Sequence, residues 1–138
     1  MLLSFSKNKK LLNSQQFKTV LEQRNSARDS LLLLYAAEND TDFPRIGISI
    51  RKSIGKAALR NILKRLIREA FRVNQLEIPK LDYIVMMSPQ WFRTVNNSQS
   101  ARLAIKKITM SHVQRSFLKL AHKAAQRYDI QNGHQTEV

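Results

Sequence analysis

The stretch RIGISIRKSIGKAALRNILKRLIREAFR, residues 45–72, changes its periodicity partway along, and that change decides the fold. Its first seven residues alternate. Ile46, Ile48 and Ile50 point to one side, and Arg45, Gly47, Ser49 and Arg51 to the other. A period of two predicts a strand over 45–51 with one apolar face and one small, basic face. From Lys56 to Val73 the spacing becomes helical. At about 100° per residue, Lys56, Arg60, Asn61, Lys64, Arg65, Arg68 and Arg72 share one broad face, and Leu59, Ile62, Leu63, Leu66, Ala70 and Val73 the opposite one. DYIVMMS (82–88) then reads as a further strand after the loop at Pro79. Strand, amphipathic helix and strand make a βαβ unit.

Working outward from that unit, LLLLYAA (31–37) is a strand, joined to 45–51 by the polar, turn-rich loop Glu38–Pro44. Before it, Phe17, Val20, Leu21 and Arg24 fall at i, i+3, i+4 and i+7, a short helix over Asn13–Arg24. Asn13 can cap it, with Gln16 as the reciprocal partner. After the unit, Ser98–Tyr128 is helical again, with Leu103, Met110, Val113, Phe117, Leu120, Ala121 and Ala124 as its apolar stripe. About thirty residues is long for one helix, so a break is expected near Ser111. Residues 1–128 are read as a single domain, and the polar end, Asp129–Val138, as a frayed tail.

Charge sets the partner. The 138 residues hold 24 Lys+Arg against 10 Asp+Glu, a formal net charge of +14. Between Arg51 and Arg72 there are eight basic residues and one acid, Glu69, so half of that charge sits on one segment. Such self-repulsion opposes a compact state unless a polyanion neutralises it. A helix made cationic only for solubility mixes signs and uses i,i+4 pairs, which this one barely does. Its bias toward arginine, whose planar fork matches phosphate oxygens, favours phosphate binding. A membrane-surface helix would favour lysine with bulky aromatics at its boundary.

Other classes are excluded one by one. With no cysteine there is no disulfide and no thiolate metal site, which fits a reducing compartment. MLLSFSKNKKLL (1–12) lacks the order of a signal peptide, and the longest apolar run, Leu31–Ala37, is too short to span a bilayer. A cytoplasmic protein without a membrane role is expected. His112, His122 and His134 include no i,i+4 pair, and the acids are unclustered. Asp40 and Asp42 fit Asx turns in a loop, and Ser53–Lys56 is too short for a phosphate-cradling loop. No protein catalytic residue and no protein metal site are expected.

RIGISIRKSIGKAALRNILKRLIREAFR resembles the signature of the bacterial ribonuclease P protein component, with Gly-Ile-Ser and Gly-Lys-Ala ahead of the Arg-Asn, Lys-Arg and Arg-Glu steps. Lys10-Leu11-Leu12 with Phe17 and Val20, and LDYIVMM (81–87), extend the resemblance over about residues 5–88, as judged from motif order. Ile62 departs from it, standing where the family usually has a third basic residue, and so does Ser88-Pro89-Gln90-Trp91. The C-terminal third is also longer than usual for the family. The resemblance implies an α+β fold: a two-layer α/β sandwich, akin to the second domain of a small-subunit ribosomal protein. A mixed sheet of three to four strands would carry an N-terminal helix, a basic crossover helix and a C-terminal helix.

The resemblance also implies a function. Lys52, Lys56, Arg60, Asn61, Lys64, Arg65 and Arg68 would dock onto the catalytic RNA of ribonuclease P. Phe17, Leu21, Leu33 and Tyr35, with Ser49 and Arg51, would line a cleft for the 5′ leader of precursor tRNA. Aromatic planes stack on unpaired bases with little sequence preference, which suits variable leaders. For Phe17 plain core packing is an equal alternative. Hydrolysis would belong to the RNA subunit and its Mg²⁺, and no protein partner is evident. Two other classes share some of these features: a structural, ribosomal-type RNA-binding protein without a role in cleavage, and a protein nuclease, which would need carboxylates or a histidine to act.

Overall fold

Asn13 opens the first helix. Its side-chain oxygen accepts the Gln16 amide at 2.9 Å, and the Gln16 side chain accepts the Asn13 amide at 2.7 Å. This capping box satisfies two of the amides that a helix start leaves unpaired. The helix, α1, spans Ser14–Glu22 in a computed structural model that describes residues 13–95 and 97–131. Arg24 then takes a φ of 55°, the left-handed conformation that stops a helix. The resemblance noted at Lys10–Leu12 lies outside the described residues.

A three-residue strand follows, β1 (Ser26–Arg28), and turns tightly into β2 (Leu32–Glu38). The turn is held by Asp29, whose carboxylate accepts the amides of Leu31 and Leu32 at 2.8 and 2.9 Å. Ser-Ala-Arg has no apolar alternation, which is why the sequence gives no strand there. Next come β3 (Arg45–Ile48), a single 3-10 turn (Lys52–Ile54), α2 (Ala57–Asn74) and β4 (Leu81–Met87). Ser88 caps the short α3 (Pro89–Phe92), and α4 (Ser98–Lys106) and α5 (Met110–Gln131) complete the described chain.

The sheet order is β1-β2-β4-β3. β4 runs antiparallel to β2 and parallel to β3, so the sheet is mixed and α2 makes the crossover between β3 and β4. The α+β sandwich expected from the sequence is the fold observed. On one sheet face Leu32, Leu34, Ala36, Ile46, Tyr83 and Val85 pack under α2 and α5. At its centre Phe117 meets Phe71 and Tyr83 edge-on, with centroids 6.3 and 6.2 Å apart. Each such pair adds about 0.5–1.5 kcal/mol beyond its buried area. The Tyr83 hydroxyl donates to the Pro79 carbonyl at 2.6 Å, and burial pushes its pKa up. Among the described residues the other sheet face carries α1 alone, through Val20 against Ala37 and Ile84.

Three expectations are corrected. The strand at 45–51 ends at Ile48. The Ser49 amide still reaches the Val85 carbonyl at 3.0 Å, but the chain then leaves β4 to bury Ile50 and Ile54. The core face of α2 is also rotated. Leu63, Ile67, Ala70, Phe71 and Asn74 are buried, whereas Ile62 is 40% exposed. Ile67 and Phe71 lie along the same line as Arg60 and Lys64, and two large apolar side chains decide the orientation over one isoleucine. The C-terminal helical stretch breaks at Lys107–Thr109, near Ser111 as expected, where the Thr109 hydroxyl accepts the His112 amide at 3.1 Å. It also runs on to Gln131, past the expected end at Tyr128, and the rest of the tail lies outside the described residues.

Candidate nucleic-acid interfaces

The first surface is the outer side of α2. Asn61, Arg65 and Arg68 are exposed, Arg60 and Lys64 are half-buried at its edge, and Lys52 and Lys56 are exposed on the approach to the helix. The rotation of the core face thus leaves the ridge intact but moves Arg60 and Lys64 to its flank. Arg60 there donates from Nε to the Gly55 carbonyl at 3.2 Å, which ties the helix start to the preceding turn. The acid of this segment, Glu69, is held by the Arg72 guanidinium, and that hydrogen bond keeps its carboxyl below the usual range. Among the described residues Lys52, Lys56, Lys64, Arg65 and Arg68 have no acidic partner. Five uncompensated cations on one segment form a surface for a run of phosphates.

The second surface is the part of the outer sheet face that α1 leaves open. The strand register puts Ser26, Tyr35, Ile84 and Gly47 in one row, and Arg28, Leu33 and Met86 in the next. Phe17 and Val20 of α1 cover Gly47, Ala37 and Ile84. Leu33, Tyr35 and Met86 stay half-buried beside them. A recess of about 540 Å³ continues past Leu33 and Tyr35 to Ser26, Arg28, Pro89 and Arg127. Arg127, on α5, donates to the Ser26 carbonyl at 2.6 Å and so frames the recess from the side. The Tyr35 hydroxyl has no hydrogen-bond partner among the described residues, so its polar end is open to a ligand.

The residues expected in this groove divide into three sets. Leu33 and Tyr35 line the recess. Phe17 is half-buried with its ring against Gly47, and Leu21 is 38% exposed on α1. Ser49 and Arg51 lie beyond the end of β3, and the Arg51 guanidinium sits 4.5 Å from the Phe92 ring centroid. Met86, Arg28 and Arg127 join the groove without having been expected there. Period-two alternation from Leu33 and Tyr35 could have found Met86 once the β2–β4 register was known, but nothing local points to Arg28 or Arg127.

At the bottom of the same face, Arg45 makes a two-pronged ion pair with Asp82, both contacts 2.8 Å, and Asn39 donates to the same carboxylate at 2.9 Å. The hydrogen bond that Arg45 donates to Asp82 raises the Arg45 pKa further. This cluster is structural, because every group in it is matched. Among the described residues no three His, Asp or Glu side chains converge as a metal-ligand set, and no helix is long and apolar enough to cross a membrane. His112 and His122 are exposed, and His134 lies outside the described residues. In the 38–44 loop it is Asn39, through the Thr41 amide, that makes the Asx turn, while Asp42 pairs with Lys80.

Comparison with known proteins places the chain's sequence and fold beside one family. The family profile described as Ribonuclease P matches residues 5–125. The chain is 33% identical to the ribonuclease P protein component of Haemophilus influenzae over 113 residues, 81% of this chain and 93% of that one. It is 36% identical to the corresponding protein of Clostridioides difficile, over 61% of this chain and 74% of that one. The ribonuclease P protein of Staphylococcus aureus superposes with a TM-score of 0.64 at 26% identity, covering 87% of this chain and 97% of the other. That of Thermotoga maritima gives 0.65 at 26% identity, covering 80% and 92%.

Proposed function

The chain belongs to the family of bacterial ribonuclease P protein components, RNA-binding proteins of tRNA processing, and on that premise we propose a role for each of its two surfaces. The ridge of α2 docks on the catalytic RNA subunit through Lys52, Lys56, Arg60, Asn61, Lys64, Arg65 and Arg68. The groove beside α1 holds the 5′ leader of precursor tRNA. The observation that carries this reading is their placement: α2 packs on one sheet face and the groove opens on the other. A protein so built can bind the RNA subunit and an unpaired strand at once.

The protein's own part is then binding and orientation. Arginines and lysines on α2 neutralise phosphates of the RNA subunit, releasing counterions, which gives affinity without sequence preference. In the groove, Tyr35 offers a ring to a base, and Leu33, Met86 and Phe17 supply apolar walls. Ser49 and Arg51, on the connection from β3 to α2, lie between the two surfaces and reach leader phosphates. Mature tRNA lacks the leader, so contact with that strand favours substrate over product. Mg²⁺ carried by the RNA subunit and the substrate supplies the hydrolytic chemistry, in the cytoplasm.

Reconstitution tests this directly. Added to a bacterial ribonuclease P RNA at low Mg²⁺, the chain should permit removal of the leader from precursor tRNA and lower the apparent dissociation constant for precursor more than for mature tRNA. RNA binding without any gain in cleavage would leave a structural RNA-binding protein instead. Cleavage by the chain alone, abolished by replacing an acid, would make it a nuclease.

A further inference from the structure

Helix α4 has no acidic residue, and it lies along the first turns of α2 with a groove of about 670 Å³ between them. Lys56, Leu59 and Ile62 line one wall, and Gln99, Arg102 and Lys106 the other. The residues of α4 fall at i, i+3 and i+7, one face of a helix whose opposite side is fixed by buried Ala101 and Ile105. A capping box between Asn97 and Ser100 holds its start. Among the described residues Lys56, Arg102 and Lys106 have no acidic partner, and all three are exposed. Ile62, in the midst of the cationic run of α2, is 40% exposed onto this same groove.

We propose that this groove is a second RNA-binding site, in which α4 and the start of α2 grip a strand of the catalytic RNA subunit. Its phosphates lie on Lys56, Arg102 and Lys106, and a sugar or base face lies over Leu59 and Ile62. The proposal rests on the assignment of α2 to the RNA subunit. Three cations facing an apolar floor, with no acid in reach, match a polyanion whose sugars and bases are less polar than its phosphates. The groove is continuous with the α2 ridge through Lys56, so one RNA can occupy both. An acidic protein segment would meet the same cations, but it would break the run of phosphate contacts that begins at Arg65 and Arg68.

Two measurements on the assembled protein–RNA complex decide the matter. In the double variant Arg102→Ala/Lys106→Ala, two exposed side chains are replaced by the best helix former, so α4 should stay folded. The slope of log affinity for the RNA subunit against log salt should fall by roughly 1.4–1.8 in magnitude, two phosphate contacts at 0.7–0.9 each. The chain has no cysteine, so Gln99→Cys can carry an iron–EDTA group alone. It should cleave the RNA subunit at a strand distinct from, and adjacent to, the one cut from Asn61→Cys. An unchanged slope with no cleavage from position 99, while position 61 still cleaves, overturns the second site and leaves the first. Loss of affinity for precursor tRNA alone would overturn it too, because the groove would then serve the substrate. A wild-type chain that fails to bind the RNA subunit removes both proposals together.

Discussion

The ring of Phe17 lies directly over Gly47: a Cβ built on that glycine would stand 2.5 and 2.6 Å from two of the ring carbons. Contact this close is how α1 sits down on the outer sheet face, and it sets how far the helix stands above the open groove. Gly47→Ala should push the ring aside and destabilise the protein by about 1–3 kcal/mol, as overpacking does. The clash has one partner, so Phe17→Ala should relieve it. Thermal melts of the two single variants and the double variant check this. A double variant that loses the sum of the single losses would mean that the ring and the glycine are not coupled.

Tyr35 is the proposed stacking residue of the groove, where it lines the recess beside Leu33. Stacking is worth about 1–3 kcal/mol per base, so Tyr35→Ala should weaken precursor binding by the assembled holoenzyme about ten-fold, and mature tRNA hardly at all. Tyr35→Phe keeps the ring and should bind precursor nearly as the wild type does. If a folded Tyr35→Ala protein lost both tRNAs equally, Tyr35 would be a packing residue. A melting curve for each variant separates unfolding from lost contact.

Arg65 and Arg60 should behave differently, although both belong to the ridge. Arg65 is exposed, so Arg65→Ala should lower the salt slope for RNA-subunit binding by about 0.7–0.9 and change stability by less than about 0.5 kcal/mol. Arg60 also donates to the Gly55 carbonyl. Arg60→Ala should cost a further ~1 kcal/mol of stability, the usual net worth of such a bond. Salt titrations paired with denaturant melts test both halves, and equal stability for the two variants would show that the Gly55 tie contributes nothing.

Asp29 gives the fold an acid-sensitive point. Burial pushes its carboxyl up, but the Leu32 amide, the Ser116 hydroxyl at 2.7 Å, the Leu31 amide and the Lys119 ammonium together hold it below the ordinary 3.8. A carboxyl depressed in the folded state adds stability that is fully present above its unfolded pKa and lost as pH falls through the folded value. Asp29→Asn should therefore be less stable than the wild type at neutral pH, with the gap narrowing once the pH drops below about 3.8. Denaturant melts across that range measure the gap, and a constant difference would remove the carboxylate's charge from the account.

The strand at 45–48 and the helix at 57–74 were legible as elements because each keeps its own period, although neither period fixed where the strand ends or which way the helix turns. Asn13 and Gln16 were legible for a similar reason, since a capping box is a local contract between two side chains. What lay outside the sequence depends on partners far along the chain. β1 has three residues and exists because Asp29 turns it back onto β2. Arg127 reaches the groove only because α5 passes β1, a contact across about a hundred positions that no local pattern records. Ile62 looked like core because its neighbours Leu63 and Leu66 are apolar, yet Ile67 and Phe71 won the inward direction. The cationic ridge survived that error, because charge density does not depend on the exact angle.

Among the described residues β3 has a single strand partner, β4, made after the whole of α2. The β1–β2 hairpin can close as soon as Glu38 has been synthesised, since all its pairings are local. β3 cannot pair until its partners Asp82–Val85 have been made. Chains are made from the N-terminus at a few residues per second, and long-range pairings form late. For that interval the most cationic segment of the protein hangs free, with its apolar face uncovered, a few nanometres from the ribosome's own RNA. The crossover that places α2 so well in the finished molecule thus leaves its basic face open to a polyanion before β4 and α5 have closed over its apolar one.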